Sequence, residues 1–295
     1  MNKRYNLKKL ILYISIFFAV IIPVIIVFLT TLNLYNTKLD TLIHNQKQTL
    51  KQVNSEANEF LEEIDKLSTY IQFNYEKNNS ILKSIVDIND NITSVIILNN
   101  SGNITDFYAH ENLNIFKGFD YSNKQYFKEI KKGKESYWSD LFLSTINETQ
   151  SLSYSFKLKD KVGVVFIKLT DLDTYINGLK NSDDSHMIRI YDNDGLLLLN
   201  PDKPYLQTQR VDAKTESVFL DLINKVKPYT QTTFNKLYSS NVDLGMYSTV
   251  DKTKWHIVVR ENYDEVIKDL KRIVIETIFV VLLFIILSTL FIYQI

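Results

Sequence analysis

The chain has 295 residues, 45% of them hydrophobic, and its 34 basic side chains balance 34 acidic ones. It contains no cysteine, which excludes disulfides, thiolate metal sites and cysteine nucleophiles. Beyond its basic N-terminus the chain is slightly acidic, so the composition gives no indication of nucleic-acid binding.

Two long apolar stretches bracket the chain. Leu10–Leu32 carries no charge, and Ile273–Ile295 carries only Glu276. Each exceeds the roughly 20 apolar residues that cross a bilayer core. We therefore predict one transmembrane helix at 10–32 and a second at 273–295, with about 240 residues of globular composition between them.

The flanks of the first span predict its orientation. Lys3, Arg4, Lys8 and Lys9 precede it without an acidic residue, so the positive-inside rule puts residues 1–9 in the cytoplasm. The span is too long for the apolar region of a signal peptide, and no small-residue cleavage site follows it. We expect a two-pass protein of the inner (plasma) membrane whose globular domain lies outside the cytoplasm.

Residues 33–75 have the pattern of a long helix that emerges from the membrane. Apolar residues recur at alternating spacings of four and three, a heptad seam interrupted only by the polar Gln46. The seam consists of Leu39, Ile43, Gln46, Leu50, Val53, Ala57, Phe60, Ile64, Leu67 and Ile71. The helix either packs on its own domain or pairs, in its membrane-proximal half, with a second copy to form a homodimer; both interpretations stay open.

Two similar hairpins follow about 93 residues apart. Strands at Ile92–Leu98 and near Ile104–Tyr108 flank a turn with the sequence NNSG, and the segment MIRIYDNDGLLLLN (187–200) repeats this order. Further strand patterns follow each hairpin: SLSYSFKL and KVGVVFIKL after the first, LGMYSTV and KWHIVVRE after the second. This predicts an α+β fold with a duplicated module of antiparallel strands.

The arrangement resembles the double Cache family of extracytoplasmic sensor domains in bacterial chemoreceptors and sensor kinases. The resemblance covers about residues 35–270 and rests on the block DYSNKQYFKEIKKGKESYWSDLFLS (120–144), on GVVFIKL (163–169) and on KWHIVV (254–259). It implies two tandem PAS-like Cache modules, a membrane-distal one at 76–180 and a membrane-proximal one at 181–270. It also implies a small-molecule ligand.

The resemblance further implies a ligand site in the distal module. The residues it assigns are Tyr121, Lys124, Tyr126, Phe127, Tyr137, Trp138, Asp140 and Lys168. For any one aromatic residue of this set, a role in the core is the alternative.

Two of these positions depart from the pattern of the amino-acid-binding members. Lys124 stands where those members have an arginine that grips a carboxylate, and Lys168 stands where they have an aspartate that binds an ammonium group. Two lysines without an opposing acid would repel an ammonium group. We therefore expect an anionic ligand, such as a carboxylic acid, if both lysines face the pocket. Lys168 at a strand end could instead extend into water.

Enzyme motifs are missing: there is no H-E-x-x-H, G-x-S-x-G or Walker A loop, and the four histidines lie far apart. We predict a non-catalytic sensor of the chemotaxis or two-component type that needs no cofactor or metal. Two alternatives remain: a sensor enzyme, such as a histidine kinase or diguanylate cyclase, whose catalytic part lies beyond Ile295, or an anchored protein that acts through a partner.

Overall fold

The computed structural model describes residues 2–78, 80–110, 116–143, 150–179, 187–199, 226–235 and 242–294. Its helices are α1 (Asn2–Asn74), α2 (Ile81–Ile88), α3 (Gln125–Lys131), α4 (Thr170–Leu179) and α5 (Tyr263–Gln294). Its strands are β1 (Ile92–Leu98), β2 (Ile104–Ala109), β3 (Ser136–Trp138), β4 (Phe142–Leu143), β5 (Gln150–Leu158), β6 (Lys161–Ile167), β7 (Met187–Tyr191), β8 (Leu197–Leu199), β9 (Thr232–Asn235), β10 (Val242–Thr249) and β11 (His256–Asn262).

The predicted first span and the predicted membrane-emergent helix form one continuous helix, α1. No glycine or turn signal separates them, so nothing in the sequence ends the helix between residues 32 and 33. Among the described residues, α1 is the one helix with a stretch long and apolar enough to cross a membrane. Residues 273–294 of the second predicted span belong to α5, which already begins at Tyr263.

Most of the heptad seam of α1 is buried inside the chain, with Leu39, Ile43 and Leu67 only partly so. Leu50, Val53 and Ala57 have no exposed surface, and Ile64 and Ile71 have almost none. These side chains belong to a core that includes one face of each β-sheet. The helix therefore packs on its own domain, as one of the two interpretations of the seam predicted.

The strands form two antiparallel sheets with the same order of connections. The first sheet has the order β2-β1-β6-β5-β3, with the short β4 also pairing with β5, and the second has the order β8-β7-β11-β10-β9. In both, the first strand of the hairpin lies between its partner and the last strand of the module. The predicted duplication of an antiparallel module is thus present in the topology. The predicted boundary between the modules, at 180 and 181, lies outside the described residues.

The two hairpin turns have equivalent hydrogen bonds. In the first, the Asn99 carboxamide oxygen accepts from the Ser101 and Asn103 amides at 2.9 and 3.0 Å. In the second, a carboxylate oxygen of Asp192 accepts from the Asp194 and Leu196 amides at 3.0 and 2.7 Å. Each turn then reaches a glycine with positive φ, 87° at Gly102 and 82° at Gly195. The NNSG and DNDG segments, 93 residues apart, therefore form turns with the same hydrogen bonds and the same positive-φ glycine.

Candidate functional site

The first sheet is covered on both faces, and its second face carries the candidate site. One face packs on α1, whereas the other packs under α3 and the loop before it. The buried side chains of this second face are Ile96, Leu98, Ile104, Tyr121, Tyr126, Phe127, Ile130, Val162, Val164 and Phe166. Four residues of the predicted site are in or beside this cluster: Tyr121, Tyr126, Phe127 and Tyr137.

The loop that carries Tyr121 is held against the first hairpin. The Tyr121 amide donates to the Gly102 carbonyl at 2.8 Å, and Asn103 forms a β-bridge with Asp120. A side chain at residue 102 would overlap the backbone of Ser122, so this contact needs glycine. Hydrogen bonds from the Ser122 side chain and backbone hold the pKa of Asp120 below its ordinary value.

Tyr126 is the centre of the cluster. Its ring centroid lies 5.8 Å from that of Phe166, 6.2 Å from that of Phe142 and 6.4 Å from that of Tyr121. Burial raises the pKa of the Tyr126 hydroxyl far above its ordinary value, so the group is neutral at physiological pH. Tyr126 therefore packs among three other aromatic rings on this face of the sheet.

Lys124 lies at the rim of this cluster. It is the N-cap residue of α3, and its extended backbone turns the chain into the helix. Its ammonium nitrogen lies 5.7 Å from the centroid of the Tyr121 ring, within the range of a cation–π contact. The lysine that replaces the family's arginine is thus beside the aromatic cluster.

The two predicted site residues of strand β3, Tyr137 and Trp138, lie on opposite faces of the sheet. Tyr137 packs beside the aromatic cluster, but Trp138 lies on the opposite face, where its ring centroid is 4.8 Å from that of Tyr154 and 6.4 Å from that of Trp255. Because successive strand residues point to opposite faces, the two cannot share one pocket wall. Trp138 instead joins the first module to the second.

Asp140 also lies at the junction of the modules. Burial and the nearby Asp194 raise the pKa of its carboxyl group. Burial also raises the pKa of the fully buried Asp192, and the nearby Asp140 and Asp194 add to this effect. Asp140 therefore belongs to a group of acids that spans both modules.

Lys168 is the residue directly after β6, and its side chain is exposed. Its amide donates to the Asn91 carbonyl at 2.7 Å, which continues the pairing of β6 with β1 by one step. In the register of β6 it follows Val164 and Phe166, both in the aromatic cluster. The lysine is thus solvent-exposed at the end of β6, next to the aromatic cluster.

Sequence reasoning missed the polar residues of this face. Serines alternate with apolar residues in β5, and Leu152, Tyr154 and Phe156 are the ones that pack toward α1. Ser151, Ser153 and Ser155 therefore face the aromatic cluster, and Ser94 joins them from β1. The alternation itself was the available signal. Among the described residues no group of three acids or histidines is arranged to hold a metal ion.

No family model matches the chain, and no curated protein matches its sequence. Several solved structures match its fold. The sensory domain of the Campylobacter jejuni chemoreceptor Tlp3, with isoleucine bound, has a TM-score of 0.62 at 14% identity and covers 78% of this chain and 96% of its own. The extracellular domain described as that of histidine kinase soHK1S-Z6 has a TM-score of 0.60 at 17% identity, covering 80% and 99%.

A third solved structure comes from another chemoreceptor. The ligand-binding domain of Pseudomonas fluorescens CtaA, in complex with L-isoleucine, has a TM-score of 0.56 at 11% identity and covers 80% of this chain and 97% of its own. These likenesses define a fold: the chain has the fold of these sensory and ligand-binding domains, as the resemblance to the double Cache family predicts. The predicted α+β class, with a long N-terminal helix that carries two antiparallel modules, is confirmed.

Proposed function

We propose that the chain is the small-ligand-sensing input of a bacterial transmembrane signalling receptor, and that the ligand is an anionic organic molecule bound in the distal module. The observation that carries the proposal is the aromatic cluster between α3 and the first sheet, with Lys124 at its rim and the exposed Lys168 next to it. The Tlp3 and CtaA domains, which share the fold, are sensory domains with isoleucine bound. The chain itself is non-catalytic in this proposal.

The remaining predicted residues fit a role in transmission. Tyr137 borders the site while its neighbour Trp138 touches Trp255 of the second module. A ligand that shifts β3 would therefore move the contact between the modules. A ligand shifts the protein between two arrangements of this contact only if it binds one of them more tightly. The ligand site must therefore differ between the two arrangements.

Two further parts of the proposal concern the membrane and the oligomer. The chain is anchored through α1 and α5 as a two-pass protein, and it forms a homodimer through the membrane-proximal part of α1. Leu39 and Ile43 support the dimer because they stay only partly buried, whereas Leu50, Val53 and Ala57 farther along the seam have no exposed surface. The signal would then be a small displacement of packed helices across the dimer.

A sensor kinase is the second candidate for the whole receptor. The observation that favours it is the match to the extracellular domain of soHK1S-Z6, described as a histidine kinase. Under this alternative the ligand site is the same and only the output differs.

Calorimetric titration of the full chain in lipid nanodiscs tests the ligand class. The probes are succinate, acetate and benzoate, with L-isoleucine and L-alanine as α-amino acids. We expect binding of at least one acid, weakened about tenfold or more by Lys124→Gln because an ionic hydrogen bond is lost. Lys128→Gln, on the exposed side of the same helix, is the matched control and should bind as the unmodified chain does. Binding of the amino acids alone would contradict the anionic ligand, and binding of none of the probes would contradict the proposed function for these classes.

A further inference from the structure

Two buried hydroxyl groups on the site face of the first sheet have no hydrogen-bond partner among the described residues. Ser94 and Ser153 have no exposed surface, and their Oγ atoms have no partner among the described residues. In the register of the sheet Ser94 pairs with Phe166, and Phe166 pairs with Ser153. The two hydroxyl-bearing residues therefore flank one phenylalanine across three adjacent strands.

Both serines point to the face that carries the aromatic cluster. In β1, Val95 and Ile97 pack toward α1, so Ser94 faces the other way. In β5, Leu152 and Tyr154 pack toward α1, so Ser153 between them also faces the other way. This is the face of Phe166 and Tyr126.

The neighbouring hydroxyl groups are bonded, which makes the unbonded pair distinctive. Thr93 Oγ1 donates to the Phe166 carbonyl at 3.1 Å, and Ser155 Oγ donates to the Tyr137 carbonyl at 3.3 Å. Ser139 Oγ accepts from the Ser153 amide at 2.8 Å. A buried polar group without a partner destabilises a fold, so an unbonded pair in one site calls for a partner from outside the chain.

The charges around these two serines favour an acceptor that is negatively charged. Lys168 follows Phe166 at the exposed end of β6, next to the aromatic cluster, and Lys124 lies at the rim. The buried acid of α3, Glu129, is bonded to Lys132 and Lys134 at 2.5 and 2.8 Å, so its charge is already neutralised. Asp140 lies near Tyr137 at the border of the cluster and near Asp194 of the second module, and burial raises its pKa, which disfavours its charged form.

We propose that the hydroxyl groups of Ser94 and Ser153 donate hydrogen bonds, one on each side of Phe166, to two oxygen atoms of a small organic acid, at least one of them a carboxylate oxygen, whose carbon skeleton packs on Phe166 and Tyr126. This inference rests on the proposed function and names the residues and the chemical group that select the ligand. Neutral hydroxyl donors bind a carboxylate without adding charge to a buried face, and Lys168 supplies the opposite charge at the end of β6.

The test compares Ser94→Ala, Ser153→Ala and the double variant with Ser155→Ala in full chains in nanodiscs, with the same acid and amino-acid probes. Each single variant should weaken acid binding about tenfold, and the double variant by about a hundredfold, because a hydrogen bond to a charged group is lost at each step. Ser155→Ala should change the affinity less than about twofold, since its hydroxyl group is already bonded within the chain.

A second measurement needs no ligand. Without ligand, Ser94→Ala and Ser153→Ala should raise the thermal midpoint, because each removes a buried hydroxyl group without a partner, whereas Ser155→Ala should lower it.

Unchanged acid binding by both single variants would overturn the inference and leave the proposed function intact, even if the midpoints rise. Binding of amino acids alone would overturn the inference and the anionic class, but not small-ligand sensing.

Discussion

Gln46 is the one polar residue of the α1 seam, and its side chain is fully buried. Its carboxamide nitrogen donates to the Leu244 carbonyl at 3.1 Å and to the Glu261 carboxylate at 3.4 Å. Leu244 and Glu261 are paired across β10 and β11, and β11 leads directly into α5. Gln46, the polar exception in the heptad pattern, thus forms a hydrogen bond between α1 and β11, the strand that leads into α5.

Gln46→Leu should destabilise the chain by about 1–3 kcal/mol, because it leaves a buried carbonyl and a buried carboxylate without this donor. Gln52→Leu, an exposed glutamine on the same helix, should change stability by no more than about 0.5 kcal/mol. Denaturant midpoints can be followed by tryptophan fluorescence, since both tryptophans of the chain, Trp138 and Trp255, lie in the contact between the modules. Equal midpoints for the two variants would contradict a structural role of the Gln46 bonds.

At the scale of elements, β3 and the β7–β8 turn form the junction between the modules. Asp192 caps the turn through two backbone amides, yet its second carboxylate oxygen is buried without a side-chain partner among the described residues. Asp140 and Asp194 add like charge beside it. Burial and repulsion both disfavour the ionised form, so the pKa values of Asp192 and Asp140 lie above the ordinary 3.8.

This electrostatic arrangement predicts how stability depends on pH. A carboxyl group with a raised pKa in the folded state contributes stability below 3.8, and this contribution is lost as pH rises through the folded-state pKa. Asp140→Asn should therefore be more stable than the unmodified chain at pH 7, by less than about 1 kcal/mol because Asp140 keeps solvent contact. The difference should shrink as pH falls toward 4, measured by denaturant midpoints across that range.

The matched control for the junction is Asp90→Asn. Asp90 is an exposed aspartate in the connection between α2 and β1, and its substitution changes the net charge by the same amount. If Asp140→Asn and Asp90→Asn increase the stability by the same amount at every pH, a specific effect at the junction is ruled out.

At the scale of the molecule, α1 is the element that contacts both sheets and α5. Both sheets pack one face on it in a single core. Asp65 in α1 accepts hydrogen bonds from Tyr154 of the first module and from Lys252 of the second. At the other end Tyr35 of α1 lies beside Tyr263 at the start of α5. One helix therefore contacts both sheets and the start of α5.

The absence of cysteine makes the topology directly testable, since any introduced cysteine is the only thiol of the chain. Asn2→Cys, Ser101→Cys and Gln294→Cys can be expressed singly in spheroplasts and treated with a membrane-impermeant maleimide. We expect Ser101→Cys, in the exposed β1–β2 turn, to react in intact spheroplasts. The two terminal variants should react only after permeabilisation, because an even number of spans returns the C-terminus to the cytoplasm. Reaction of Gln294→Cys in intact spheroplasts would contradict two spans.

The sequence by itself determined the order of the elements, the hairpin turns and the duplication. β1 has the predicted bounds Ile92–Leu98, because strand periodicity and asparagine–glycine turn chemistry act over a few neighbouring residues. The seam of α1 was equally readable. The continuity of the predicted first span with the helix after it also depends only on neighbouring residues, since nothing in the sequence interrupts the helix there.

Only the tertiary structure decided which side of the first sheet each residue serves. All seven residues of β1 are buried, so its apolar run carries no alternation that distinguishes the α1 face from the site face. The resemblance grouped Trp138 and Asp140 with the site, and the structure lays Trp138 against Trp255 of the second module, so their role in ligand binding stays a prediction. The sequence analysis passed over Ser94 and Ser153. When both faces of a sheet are buried, the face of a residue depends on which elements cover each side, and those elements are distant in the chain.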